Sequence, residues 1–359
     1  MDTAKAYGIL LVFYGHFAEK WGVLGSDAAL LQWKFIYAFH MPLFFFLAGY
    51  VHRPEPRTLG EHLYRGLLLR IIPAFLFNLL AALYLIGRRA AAGVETEAPG
   101  ILFGVLRLFS GKPVINFLTW FLVCLFTVEL FHFLLGRKLT SMPRMALGAI
   151  LSYTLGWLTW RYVGMVVEVT GIPVNFWYLH EAVVAYGLFL AGAAARAAGV
   201  FDRPRRAITR LGLLVASAAV AVATFGLNAP QGAVRKTGVI MATGQHGDFF
   251  LFPFTALVGI AMVAWLALLT PALRPISWLG RNTLVLFGLN GVLWTDNPLF
   301  AQTVAPYFAD TLGAVLLGCA LVTTAQVAAC VPVVWLLNRL VPQLVGRPRG
   351  SGPILKALL

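Results

Sequence analysis

Two basic side chains stand eleven positions apart in the first apolar run of the sequence, Lys5 and His16 within DTAKAYGILLVFYGH. At 100° per residue, eleven steps return a helix to within about 20° of its starting azimuth, about 16 Å further along the axis. One helix face would then carry a cation at its rim and an imidazole deep inside. Imidazole titrates near neutrality and can take a proton from a hydroxyl, while an ammonium gathers an anionic group. The pair suits transfer chemistry on a long anionic donor threaded along the helix. It also admits a plainer account, with Lys5 snorkelling to an interface and His16 satisfying a neighbouring carbonyl.

A second imidazole, His40, lies in FHMPLFFFLAGY, where Pro42 is expected to kink a helix and free carbonyls beside it. At similar depth to His16 it would make a paired site, either orienting His16 or hydrogen-bonding an oxyanion; a Pro-kinked packing element is the alternative. Arg53, Arg57, Arg65 and Arg70 follow, and such a run suits phosphate groups or simply fixes topology. Lys5, Arg65 and Arg70 are the candidates for an anionic donor, with Trp120, His246, Asp248 and Asn290 as weaker candidates for substrate contact. Glu129 and Glu181 could orient a base or pair with a cation. Cys124, Cys319 and Cys330 lie inside apolar segments without metal-ligand or CxxC spacing, so no metal site is expected. HxxxxD, GxSxG, HExxH and Walker patterns are absent.

The elements that must position these residues follow from composition. Of 359 residues, 60% are apolar, 13% aromatic and only 12% charged, with mean hydropathy +0.80. A soluble fold of this size has too little interior for so much apolar surface, so the chain is expected to be an all-α polytopic membrane protein. Apolar runs long enough for a bilayer fall near 3–18, 33–52, 66–86, 116–135, 145–163, 175–195, 210–227, 249–270, 282–298 and 311–340, giving about ten helices. The net charge of +14 is then a topology signal rather than a nucleic-acid signal. Basic residues favour the side of the N-terminus, as in Arg203, Arg205, Arg206 and Arg210. The far side holds fewer, such as Arg88, Arg89, Arg107, Lys112, Arg235 and Lys236. Both termini should therefore be cytoplasmic, with one transmembrane domain over 1–340 and a short basic tail over 341–359.

The opening stretch over 2–16 and the FHMPLFFFLAGY run over 39–50 resemble the start of the membrane acyltransferase-3 family, nearest its fucose 4-O-acetylase-like branch. RGLLLRIIP over 65–73, WFL over 120–122 and LGRNTLVLFG over 279–288 match in the same order. The resemblance implies a ten-helix enzyme that moves an acyl group, usually acetyl, from cytoplasmic acyl-CoA to an extracytoplasmic or lipid-linked sugar hydroxyl. It implies that Lys5 and His16 form the family's catalytic pair. Lysine stands where many members have arginine, which keeps charge but loses the bidentate fork. Ala48 stands where serine is frequent and Asn290 where histidine is frequent; asparagine still donates and accepts but does not titrate.

The resulting expectation is an acyl-CoA-dependent O-acyltransferase with His16 as general base and no tightly bound cofactor. Its partners are acyl-CoA, a carbohydrate or lipid-linked sugar of the envelope or exopolysaccharide, and the lipid bilayer, with multi-pass residence in a bacterial inner membrane. The competing reading is a transporter or flippase for a lipid-linked sugar or organic anion, in which His16, His40 and Asn290 line a path. The absence of an obvious internal repeat weighs against it.

Overall fold

The computed structural model describes residues 1–53, 57–95, 97–228 and 238–359, and among these no strand occurs beyond an isolated bridge between Ile240 and Gln245. Arg235 and Lys236 lie outside the described residues. The helices run α1 (Asp2–Val23), α2 (Asp27–Tyr37), α3 (His40–Val51), α4 (Leu59–Gly66), α5 (Ile72–Ala91), α6 (Ala98–Leu106), α7 (Trp120–Leu135) and α8 (Met142–Arg161). They continue as α9 (Val163–Thr170), α10 (Leu179–Ala197), α11 (Ala207–Thr224), α12 (Leu251–Leu269), α13 (Arg274–Arg281), α14 (Thr283–Leu293), α15 (Asn297–Val304) and α16 (Leu312–Leu340).

Among the described residues, seven helical segments are long and apolar enough to cross a membrane: Asp27–Val51, Leu59–Ala91, Phe117–Lys138, Phe176–Ala197, Ala207–Thr224, Leu251–Leu269 and Leu312–Leu340. The runs near 3–18, 145–163 and 282–298 are helical as well. α1 carries Asp2, Lys5, Glu19 and Lys20, however, α8 is less apolar, and α14 is only 11 residues long. The outer surface is apolar: in α11 only Ala221 is buried, while Ile208, Val215 and Val222 point outward. An all-helical bundle with such a coat satisfies its own backbone and leaves side chains for lipid. The protein is an all-α polytopic membrane protein.

α1 is the central helix, in contact with α2, α3, α12, α13, α14, α15 and α16. Gly8, Gly15 and Gly22 recur every seven residues and form a smooth stripe on it. A Cβ at Gly8 would meet Phe44, at Gly15 Tyr37 and at Gly22 Leu30, so α2 and α3 lie along this stripe. α3 crosses α10 closer still: a Cβ on Gly49 would stand 1.8 Å from the carbonyl oxygen of Phe189, and one on Gly192 2.0 Å from that of Phe46. Only glycine permits backbones to approach so closely.

The segment expected as one helix kinked at Pro42 is two helices. α2 ends at Tyr37, the chain turns through Ala38 and Phe39, and α3 starts at His40. Pro42 sits in the first turn of α3, where a helix has no acceptor for its N–H in any case. The next span, Leu59–Ala91, contains a π-helical turn over Leu67–Ile71 that carries Arg70. Such bulges redirect the side chains they hold.

A buried amide network fixes α5, α7 and α14. The backbone N–H of Asn116 donates to Asn78 Oδ1 at 2.9 Å, Asn78 Nδ2 donates to Thr119 Oγ1 at 2.8 Å, and Asn116 Nδ2 donates to the Gly288 carbonyl at 2.9 Å. Both ends of the chain meet at α13. Gly280 packs on the backbone of Asp2, and Arg347 donates to Asn282 Oδ1 at 2.8 Å. The segment after α16 folds back on the bundle: Val345 joins the main apolar core and Gln343 donates to the carbonyls of Gly350 and Leu355.

Candidate active site

His16 is 6% exposed on α1, and its Nδ1 lies 2.6 Å from Oδ1 of the fully buried Asn290 on α14. With the amide oxygen accepting, Nδ1 carries the ring proton and Nε2 keeps its lone pair. His40 Nδ1 lies 3.0 Å from the carbonyl oxygen of Ile36. A carbonyl only accepts, so this Nδ1 also carries a proton and Nε2 of neutral His40 is an acceptor. The two histidines do share one cavity of about 130 Å³, walled also by Glu19, Tyr37, Met41, Phe117, Leu118, Trp120, residues 239–242, Phe287 and Trp294. The Tyr37 ring stands 4.6 Å from that of His40 and 6.2 Å from that of His16.

Glu19 lies one helical turn beyond His16. Its carboxylate accepts from the Tyr37 hydroxyl and from Lys20 Nζ, each at 3.0 Å, and Lys20 Nζ stands 4.4 Å from the Trp294 ring centroid. Two buried N–H groups nearby, Asn290 Nδ2 and Trp294 Nε1, have no partner among the described residues.

A second cavity of about 230 Å³ opens at the other end of α1, walled by Lys5, Arg70, Arg281, Phe44, Ala48, Phe121, Leu122, Thr283 and Phe287 among others. Phe287 belongs to the walls of both cavities, and the rings of Phe44, Phe121 and Phe287 pack in sequence at 5.8 and 5.6 Å. Arg70, delivered by the π-turn, donates to Glu129 on α7 at 2.7 and 3.3 Å, while Lys5 is 3.9 Å from Asp2. The arrangement is a cationic chamber, an aromatic divide and a histidine cavity in series along α1. Such a site can hold an anionic head at one end and abstract a proton at the other.

Several sequence candidates lie elsewhere. Arg65, on α4, lines neither cavity. His246 is 2% exposed and bonds the buried Glu181 carboxylate at 3.0 Å, away from His16. Asp248 caps α12, accepting the N–H groups of Phe250 and Leu251 at 2.9 Å. Trp120 lines the histidine cavity. Glu19, Tyr37, Arg281, Phe287 and Trp294 were not singled out from the sequence. Glu19 was the one within reach, three positions from His16 and so on the same helix face.

No curated protein and no solved structure matches the chain. A family model described as an acyltransferase domain, that of the acyltransferase-3 family, matches residues 1–337. This range covers α1 through most of α16 and takes in both cavities, so the protein belongs to the acyltransferase-3 family of membrane acyltransferases.

Proposed function

We propose that the protein is an O-acyltransferase that moves an acyl group, acetyl by preference, from acyl-CoA to a hydroxyl of an envelope or exopolysaccharide sugar, free or lipid-linked. The observation that carries this reading is the hydrogen bond from His16 Nδ1 to Asn290, which reserves Nε2 for a cavity adjoining the Lys5 chamber. The Lys5 end faces the cytoplasm, the side on which basic residues gather, and ten helices cross a bacterial inner membrane with both termini inside.

In this reading Lys5, Arg70 and Arg281 draw the anionic donor to the mouth of the chamber, and its thin pantetheine arm runs past Phe287 toward His16. The acceptor hydroxyl gives its proton to His16 Nε2 as its oxygen attacks the thioester carbonyl. Trp294 Nε1, without a partner among the described residues and in the cavity wall, is the donor at hand for the oxyanion. Collapse of the tetrahedral species breaks the C–S bond, and the imidazolium returns its proton to the departing thiolate. Asn290 Oδ1 steadies the imidazolium through Nδ1–H, and His40 Nε2 accepts from a second, neighbouring hydroxyl of the sugar and so orients the acceptor.

Release of CoA thiol by protein in nanodiscs, given acetyl-CoA and candidate sugars, tests the proposal. His16→Ala should lower the transfer rate by roughly 10²–10⁴, the span of general-base catalysis, while the melting temperature holds. A well-folded His16→Ala protein that transfers at the unmodified rate would end the reading.

A further inference from the structure

A cleft of about 690 Å³ opens beside α13, α16 and the C-terminal segment, lined by Trp278, Arg281, Asn282, Trp335, Asn338, Arg339 and Arg347. Three of its side chains are guanidinium groups, and among the described residues no carboxylate lines it. Arg281 stands in the walls of both this cleft and the Lys5 chamber, so the two spaces are neighbours through one side chain. The chamber is below the roughly 300–1,000 Å³ usual for a small-molecule site, whereas the cleft is within it. A thin arm fits the first; a nucleotide needs the second.

Resting on the acyl-CoA reading above, we propose that this cleft holds the adenine nucleotide end of the donor. Arg281, Arg339 and Arg347 take its phosphates, and the base lies against Trp335. Arginine suits phosphate because its planar fork donates two parallel hydrogen bonds. The Trp335 indole is 57% exposed and carries the Arg339 guanidinium 5.1 Å from its ring centroid, a face on which a purine can stack. Asn338 Oδ1 is a buried acceptor without a partner among the described residues, while Asn338 Nδ2 donates to Asn282 Oδ1 at 2.8 Å. The exocyclic amine of adenine supplies the missing donor. Partial burial and then the neighbouring Arg281 charge hold the Arg347 guanidinium below its ordinary pKa, a crowding that a bound anion relieves. Arg339, at the end of α16, and Arg347, in the segment after it, lie past residue 337, where the family match ends.

The phosphate of an anionic phospholipid has the same chemistry, and the experiment must separate the two. Arg339→Ala, Arg347→Ala and Trp335→Ala are placed in phosphatidylcholine nanodiscs and titrated with CoA, and their rates are measured with acetyl-CoA and with S-acetyl-pantetheine. Each arginine variant should weaken CoA binding about tenfold and raise KM for acetyl-CoA at unchanged kcat, with lysine restoring part of the loss. Kinetics with S-acetyl-pantetheine, which lacks the nucleotide, should not change. Equal losses on both donors would mean a structural role and overturn the inference. So would unaltered CoA affinity accompanied by lost retention of phosphatidylglycerol in native mass spectra, which would make the cleft a lipid site. Trp335→Ala removes an exposed ring and so keeps the test open if an arginine variant misfolds. If the unmodified protein binds no CoA and turns over neither donor, the acyl-CoA reading itself fails, a result distinct from these.

Discussion

Replacing Asn290 by leucine removes the acceptor from His16 Nδ1 while leaving a side chain of similar bulk in a fully buried position. The cost to catalysis can be worked from the 2.6 Å contact. A hydrogen bond between neutral partners contributes about 1 kcal/mol net, whereas one to a charged partner contributes about 1.5–3 kcal/mol. In the proposed mechanism His16 starts neutral and becomes imidazolium as the hydroxyl proton arrives, so part of the bond's strength would be gained only on the way to the transition state. Loss of the preferred tautomer adds to this, because Nε2 is no longer the nitrogen that must be free. Together these effects amount to ~1–3 kcal/mol, a fall in kcat of roughly 5- to 150-fold. The substitution does not touch the Lys5 chamber, so KM for acetyl-CoA should hold. Thiol release at saturating acetyl-CoA reads kcat, and a melting curve in the same detergent separates misfolding from slowed chemistry. A folded Asn290→Leu protein with kcat within twofold of the parent would refute the tautomer argument, as would a loss confined to KM.

Lys5→Met should raise KM for acetyl-CoA with little change in kcat, and Lys5→Arg should retain most activity; steady-state kinetics on both decide it. Gly49→Ala should destabilise the bundle by about 1–3 kcal/mol, because its Cβ would stand 1.8 Å from the Phe189 carbonyl and the α3–α10 crossing must widen. A melting temperature equal to the parent's would contradict that close approach. Asp310 accepts from Ser26 Oγ and from the N–H groups of Asp27 and Ala28, and the Ser26 hydrogen bond leads in holding its pKa below the usual carboxylate value of 3.8. A depressed folded pKa stabilises above the unfolded value, and that contribution is lost as pH falls through the folded one. Asp310→Asn should therefore melt lower than the parent at pH 7, with the gap closing as pH falls through the lowered folded pKa; a gap independent of pH would show that the carboxylate charge plays no part.

The eleven-residue spacing of Lys5 and His16 was legible because both lie on one helix, where geometry follows from residue count alone. The all-helical membrane architecture was legible from composition for a similar reason. What sequence could not convey was long-range pairing. Asn290 stands 274 residues from His16 in the chain, and nothing local says which nitrogen it engages. Glu181 and His246 stand 65 residues apart, and again only packing brings the carboxylate under that imidazole. The break before His40 was masked by Pro42, a residue that suits the first turn of a helix as well as a kink. The hydrogen bonds of Asp248, by contrast, are local. An Asp just ahead of an apolar helical run is a capping signal, and the structure uses it as one.

The rings of Phe44, Phe121 and Phe287 have a consequence for the membrane as a barrier. An enzyme that works on both faces of a bilayer needs a hole through it, and an open hole containing histidines would short-circuit a proton gradient. A hydrated ion cannot shed its water among aromatic rings without a large penalty, since nothing there replaces the lost hydration. A slim, uncharged arm loses little by the same passage. On the acyl-CoA reading proposed above, the divide between the two cavities would be an insulator that conducts acyl groups, letting the chemistry cross while the electrical potential of the membrane stays where it is.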